Sequence, residues 1–540
     1  MNLKPRNIPP FLRDIVSLIT ITILFYSCAQ IRPLTGGEKD VEPPKALESI
    51  PMNGATNFIE DKIIVEFDEY IKLNNVSSQL IVSPLMETPP EIMVKGKKLV
   101  IKIKSALTEN TTYSLNFGSA IADITENNPF PNYKYVFSTG TFIDSLSYSG
   151  SVVNAFDLTK KEGVYVLLYD QLEDSVPLKE LPRYVALTDK EGAYAITNIA
   201  HGTYKLFAIK DINSNYLFDL PNEEIGYDQE NISIDSTSTG NTIHLFEEAN
   251  DLQYLKTAEN KIFGRIDIQL NTPTSDLIIT PLNQSFKKQW YIEDKNAAGD
   301  SATLWLLVQD AFDNLEIEIK DGKEIIDTAD VKMMQSDDFI DTTLQVSTNI
   351  NGSFDLNQNI IIDLARPFVG YETDSILFYE DSTLIPTPEI KAIGVTQLEM
   401  VYDFKENTAY DFFISPNTFE DVFGLKNDTI YAKFKTKKEA DYGIINLTVA
   451  PSFSENYIVQ LFKQDKIVQE HFLIDSAEVK YQYLLPGNYG LKLIIDQNND
   501  QEWSTGNYIE GVQPEKVIFY EKDITIKANW DNDITWTIKE

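Results

Sequence analysis

Cysteine is nearly absent from this chain: among 540 residues, Cys28 is the only one. A lone cysteine excludes an intrachain disulfide framework and any Cys-based metal cluster. Histidine is almost as scarce, with His201, His244 and His471 as the full set. Nucleophile–base chemistry built on histidine therefore has few places to start from. No G-x-S-x-G, H-E-x-x-H or Gly-rich phosphate loop occurs in the sequence. Positive charge is also in short supply, because 46 Lys and Arg face 82 Asp and Glu for a formal net charge of −36. Such a surface repels phosphate backbones, which argues against nucleic acid as a partner. Beyond Cys28 no apolar run approaches the roughly 18 residues that a membrane-spanning helix needs.

The residues around the cysteine are distinctive. Lys4, Arg6 and Arg13 give a basic start, residues 15–26 are mostly apolar, and small Ser27 precedes Cys28. The apolar segment is too short to cross a ~30 Å hydrocarbon core but has the length of a signal-peptide core. The stretch resembles a bacterial lipoprotein signal, with residues 1–27 removed. That resemblance implies that the Cys28 thiol carries diacylglycerol and its new amino group an acyl chain. At roughly 0.8 kcal/mol per buried CH₂, such chains make a stable membrane anchor. Phe25 departs from the Leu usual three positions before the cysteine, and an ordinary secretory signal with a chance cysteine is the alternative. Residues 28–46, with "IRPLTGGEKDVEPP" at 31–44, read as an extended tether.

Beyond the tether the chain is long enough for several domains, and 43% hydrophobic with 11% aromatic content allows each a core. Apolar residues recur with period two: Ile63, Val65 and Phe67; Leu99, Ile101 and Ile103; Tyr113, Leu115 and Phe117; Tyr133, Tyr135 and Phe137. Turn residues separate these runs, and no amphipathic helix of about twelve residues stands out. An all-β chain of tandem β-sandwich modules is expected.

Internal repeats organise it. "ENTTYSL" at 109–115 returns as "ENTAYDF" at 406–412, and Phe137 and Thr139 return as Phe434 and Thr436, all shifted by 297. "HGTYKLFAIKDINSNYLFD" at 201–219 aligns with "PGNYGLKLIIDQNNDQEWS" at 486–504 at a shift of 285. The units at 47–142 and 343–440 resemble the SbsA S-layer type of bacterial Ig-like domain, the second copy having "IIIDLARPF" at 360–368 where the first has "IIVEFDEYI". Those at 146–250 and 441–540 resemble the prealbumin-like fold of carboxypeptidase-regulatory and collagen-adhesin B-type modules. A strand-rich insert at 255–342 separates the pairs. The layout is similar to Ig-like-domain lipoproteins of the Bacteroidota, which implies a place in the cell envelope, at the outer membrane.

Each prealbumin-like unit carries an acidic loop after its "Y-x-L" strand. Oxygen side chains at positions one, three and five, Asp211, Asn213, Asn215 and Asp496, Asn498, Asp500, match the start of a Ca²⁺ loop. Asp219 or Glu502 and backbone carbonyls could complete the six to eight oxygens that Ca²⁺ takes. Tyr216 and Gln501 stand where an EF-hand has Gly. The alternative is a hairpin turn whose Asp and Asn bond their own backbone. His201 reads as a turn residue, since its repeat partner is Pro486, and His244 and His471 lie on strand-like stretches. Asp-Ser/Thr followed by a small or aliphatic residue recurs at Asp144, Asp174, Asp235, Asp300, Asp327, Asp341, Asp374, Asp381, Asp428 and Asp475. It resembles the O-glycosylation sequon of exported Bacteroidota proteins, and strand-end turns would explain it as well. The expected function is that of a lipid-anchored, non-catalytic envelope protein, a spacer and interaction surface for proteins or glycans. The alternative is a surface-exposed, Ca²⁺-dependent carbohydrate- or protein-binding adhesin.

Overall fold

The computed structural model describes residues 40–286, 289–308, 313–335, 342–451 and 455–538. Cys28 and most of the tether lie outside them, as does Asp341. Among the described residues regular structure is almost entirely strand, as the period-two pattern requires, and the chain is a series of β-sandwich modules. The chain divides into two compact units. One reaches to Leu146 and includes Asn198–Ala200; the other holds Ser147–Thr197 and the residues from His201 on.

In the first unit, strands Ala46–Ile50, Lys62–Phe67, Lys98–Lys102 and Glu91–Lys95 form one antiparallel sheet in that order. Ile81–Ser83, Thr112–Asn116 and Lys134–Ser138 form another. Ile63, Val65, Phe67, Leu99, Ile101, Leu115, Phe117 and Phe137 bury their alternating side chains in one core. The residues 343–440 in the second unit repeat this topology. Val346–Thr348, Ile360–Leu364, Gln397–Met400 and Ile390–Ala392 pair in the same order, and the short pair Phe368–Tyr371 with Phe419–Asp421 matches Ile71–Leu73 with Ile121–Asp123. The divergent "IIIDLARPF" stretch thus supplies the same two strands as its counterpart.

The repeated "ENT-x-Y" words encode a corner. The backbone N–H of Thr108 donates to the Tyr113 hydroxyl at 2.9 Å, while Thr139 Oγ1 accepts from Thr111 N at 2.9 Å and donates to the Thr108 carbonyl at 2.7 Å. In the second copy Lys405 N donates to the Tyr410 hydroxyl at 3.0 Å, and Thr436 Oγ1 bonds Thr408 N and the Lys405 carbonyl at 3.0 and 2.6 Å. Asn110 and Asn407, at φ 52° and 53°, make the left-handed turn that brings these groups together. A second shared device is a buried aspartate. Asp123 accepts the N–H groups of Glu126, Asn127 and Asn128 at 2.6, 2.9 and 2.9 Å, and Asp421 those of Phe423 and Leu425 at 2.9 and 2.8 Å.

The insert is a further sandwich. Leu255–Ile262, Arg265–Leu270, Ser301–Leu306 and Tyr291–Lys295 face Leu277–Pro281, Asn314–Asp321 and Glu324–Lys332 across a core of Ile266, Ile268, Leu304, Leu315, Ile317 and Ile319.

The stretches at 146–250 and 441–540, read from the sequence as prealbumin-like, share one strand plan. Leu146–Asn154 runs parallel to Ser238–Glu247, and Gly443–Pro451 runs parallel to Asp531–Ile538. Tyr184–Leu187, Tyr165–Tyr169, Gly202–Lys210 and Glu224–Tyr227 lie side by side, as do Lys466–Ile474, Asn456–Lys463, Gly487–Asp496 and Val517–Phe519. Here the period-two expectation gives way. Residues 206–209 and 491–496 are buried on both faces, because other parts of the chain cover the outer face of each sheet.

Asp123 generates a test. Burial alone would raise its carboxyl, but the N–H groups of Glu126, Asn128, Asn127 and Thr125 outweigh it and hold the pKa below the usual range. A depressed carboxylate contributes stability in full above its unfolded pKa of about 4 and loses it as pH falls through the folded value. In urea denaturation of residues 40–142 followed by circular dichroism, Asp123→Ala should cost about 1–3 kcal/mol at pH 7. The gap to wild type should narrow progressively below about pH 4.

Candidate functional site

The twin acidic loops follow strands Gly202–Lys210 and Gly487–Asp496, and their side chains gather in the same way. Asp211 accepts Ser214 N at 2.6 Å and Tyr216 N at 2.7 Å. Asp496, in turn, accepts Asp500 N at 3.2 Å and Gln501 N at 3.1 Å. Asn213 and Asn215 take Asn215 N and Leu217 N on their amide oxygens and donate their amide nitrogens to Asp219 at 3.1 and 2.8 Å. Asn498 accepts Asp500 N at 3.0 Å and donates to Asp500 Oδ2 at 2.7 Å, with the Ser504 hydroxyl closing on Asp500 at 2.9 Å. Tyr216 and Gln501 adopt φ 63° and 68°, the left-handed conformation that would favour Gly. Glu502 is the exception: its side chain is exposed, and only its backbone N–H enters the loop, to Asp500 Oδ1 at 2.8 Å.

Two residues absent from the sequence pattern close these loops. Glu223, 1% exposed, accepts Ile212 N, Asp219 N and Leu220 N at 3.0, 3.0 and 3.1 Å. Glu515, 4% exposed, accepts Gln497 N and Ser504 N at 2.8 and 3.0 Å. The two glutamates lie 292 positions apart, not 285, because the second loop is longer, and so they escaped the repeat alignment. Their motif signal was a Glu just before the next strand, in "NEEIGY" and "QPEKVI".

In both loops the candidate ligand oxygens face backbone and amide N–H groups, which is the Asx-turn arrangement. Among the described residues no group of three or more His, Cys, Asp or Glu converges in a way that could hold a metal ion. Ligation would require the asparagines to turn their amide oxygens away from the backbone. The electrostatics differ from residue to residue. Burial pushes Glu515 up, only partly offset by the N–H groups of Ser504 and Gln497. For Asp500 burial is outweighed by Glu502 N–H, Asn498 and Ser504, which hold it below its usual range.

The extra length of the second loop forms a hairpin, bridged at Asn507 and Val512, that docks on the first prealbumin-like stretch. Tyr508 enters between Phe207 and Tyr227, with ring centroids 5.5 and 4.9 Å away, and its hydroxyl donates to the Asp174 carbonyl. Its backbone N–H donates to Glu248, and Thr505 Oγ1 donates to the Glu247 carbonyl at 2.6 Å. Gly506 passes so close to Phe246 that an added Cβ would meet the ring at 2.7 Å. In return Phe156 packs against Trp503 at 5.0 Å and lies 3.0 Å from Lys492 Nζ. Burial pushes Lys492 down to about 8, with Asp157 and Glu470 opposing.

The histidines are placed as follows. His201 Nε2 lies 2.6 Å from Asp235 in an exposed pair. The ring of His471 meets Tyr481 at 5.2 Å. His244, read from the sequence as lying on a strand-like stretch, lines a cleft with Asp228 beside the docked hairpin. Of the described Asp-Ser/Thr positions, Asp327 sits inside a strand and the others lie outside strands.

Two outcomes follow from the loop geometry. Glu515→Ala orphans buried N–H groups and should cost about 1–3 kcal/mol in chemical denaturation, against less than about 0.5 kcal/mol for exposed Glu502→Ala. Millimolar Ca²⁺ should leave the thermal melt unchanged. A Ca²⁺-dependent rise that is lost in Asp496→Ala with Asp500→Ala would instead show these oxygens turning onto a metal.

Residues 40–139 match the family described as the bacterial Ig-like domain. No curated protein matches the chain. Among solved structures it is similar to BcpA, the major pilin subunit of Bacillus cereus, at 11% identity over 73% of this chain and 99% of that one, with a TM-score of 0.14. It is also similar to domains 1-6 of the surface layer protein SbsC (9% identity, 89% of this chain and 66% of that one, TM-score 0.14). An I-band fragment of titin is a third (10%, 53% and 98%, TM-score 0.12). At TM-scores this low none of these likenesses bears on function, and the family match places one bacterial Ig-like module at the front of the chain.

Proposed function

We propose that this chain is a lipid-anchored, non-catalytic protein of the cell envelope, tethered at the outer membrane through Cys28. Its β-sandwich modules act as spacer and interaction surface for proteins or glycans. The observation that carries the reading is the single cysteine, set between an apolar signal-like run and a Pro- and Gly-bearing tether that leads into an Ig-like module. A thiol kept alone in so long a chain is accounted for as the atom that takes the lipid. The buried polar side chains of the loops support a non-catalytic role, because they are spent on holding backbone N–H groups. Among the described residues no helix is long and apolar enough to cross a membrane, so in this reading the attachment rests on the lipid.

Cys28→Ser should move the protein from the membrane fraction to the soluble one, and a fatty-acid probe should label the parent and miss the variant. A parent that takes no lipid would leave the envelope role without its anchor.

A further inference from the structure

Beside the docked hairpin lies an open cleft of about 550 Å³, lined by Tyr148, Asp228, Glu230, Asn241, His244 and Gln513 among others. Both prealbumin-like stretches build it. Gln513 comes from the hairpin and is fixed there by its Nε2 donating to the Tyr227 carbonyl at 3.2 Å; the rest of the lining comes from 148–244. The hairpin's docking therefore completes the wall.

The lining narrows the ligand class. Ile232 and Ile243 are the aliphatic residues in it, too few to hold a lipid or other apolar guest. Asp228 and Glu230, on a chain of net charge −36, disfavour phosphate, sulfate and carboxylate ligands. The same two carboxylates would suit a cation, so a cationic ligand is the competing guest. Against that guest, Lys516 adds positive charge beside His244, and burial first and Glu230 second push the Asp228 carboxyl up. His244 keeps contact with solvent, yet burial first and Lys516 second hold its imidazole below the usual value, which favours its uncharged form. Beside the carboxylates stands a dense set of uncharged donors and acceptors: the amides of Gln229, Asn231, Asn241 and Gln513, with the hydroxyls of Ser233 and Thr242, which already bond Asp235 and Ser151. Each sugar hydroxyl both donates and accepts, and a mixed amide and hydroxyl wall satisfies it in either sense.

We propose that this cleft binds an uncharged glycan chain, held from both sides by the paired prealbumin-like modules. This deepens the interaction-surface role proposed above and depends on it only for the preference of glycan over protein. The membrane anchor is a separate matter.

The test uses the full chain carrying Cys28→Ser, titrated calorimetrically with cellohexaose, xylohexaose and mannohexaose, with spermidine as the cationic comparison. At least one hexasaccharide should bind, and spermidine should neither bind nor compete. Asn241→Ala and Gln513→Ala, one from each side, should each weaken binding about tenfold with the thermal melt unchanged. Tyr508→Ala, which frees the hairpin, should weaken it at least as much while Asn241 stays in place. If Gln513→Ala loosens the hairpin itself, the exposed Asn241 decides. The proposal is overturned if no hexasaccharide binds, if binding survives both alanine variants, or if spermidine is preferred. Any of these leaves lipid labelling and membrane attachment as they were, so failure here is distinguishable from failure of the envelope reading.

Discussion

The interaction on which the rest of this structure depends is a buried carboxylate accepting several backbone N–H groups. Loops at the ends of β-sandwiches turn N–H groups inward, where each one left without a partner costs a few kcal/mol. A carboxylate has acceptor capacity for two or three of them, and its charge strengthens each bond. Asp123 and Asp421 do this in the Ig-like modules, and Glu223, beside half-buried Asp211, and Asp496 with Glu515 do it in the prealbumin-like ones. The dependence runs outward from there. Glu515 fixes both ends of the second acidic loop, the loop carries the hairpin, the hairpin seats Tyr508 and Gln513, and those residues close the seam and wall the cleft.

Much of the fold was legible because its devices are local. Tyr113 and Thr139 recur at a fixed shift as Tyr410 and Thr436 because each is tied to a backbone only a few residues or one strand away. The all-β character followed from alternation for a similar reason. Legibility failed where spacing changed. Asp123 and Asp421 are 298 apart, one off the shift of their module, and the two glutamates are 292 apart. Neither pair falls in register with its neighbours, so an alignment by offset passes over them. For the candidate site, the loop side chains gather in both copies, but Glu502 is exposed and the amide oxygens face the backbone. Those are choices of rotamer, which no spacing rule specifies.

The alternation rule failed for a different reason. In "LFAIK" the apolar residues run on without a polar partner face, the pattern of a strand covered on both sides, whereas "LKLIID" puts Lys492 and Asp496 on its second face and buries them all the same. Phe207 and Lys492 are repeat equivalents on the outer faces of the two sheets. One receives Tyr508 and the other lies against Phe156. The modules thus pack through homologous faces that have diverged into different aromatic contacts, much as two subunits of a pseudosymmetric pair would.

Tyr508 and Asp174 meet across a sequence separation of 334. Such a contact cannot help any single module to fold, since the entropy of closing so long a loop must be met before the contact returns anything. The local corners and the sandwich cores form on their own short-range terms, and the seam joins surfaces that already exist. During synthesis the aromatic cradle of Phe207 and Tyr227 leaves the ribosome long before the hairpin that covers it. For that interval it is an uncovered apolar surface, and the nascent chain would need escort by a general chaperone more than a smaller protein of the same modules would.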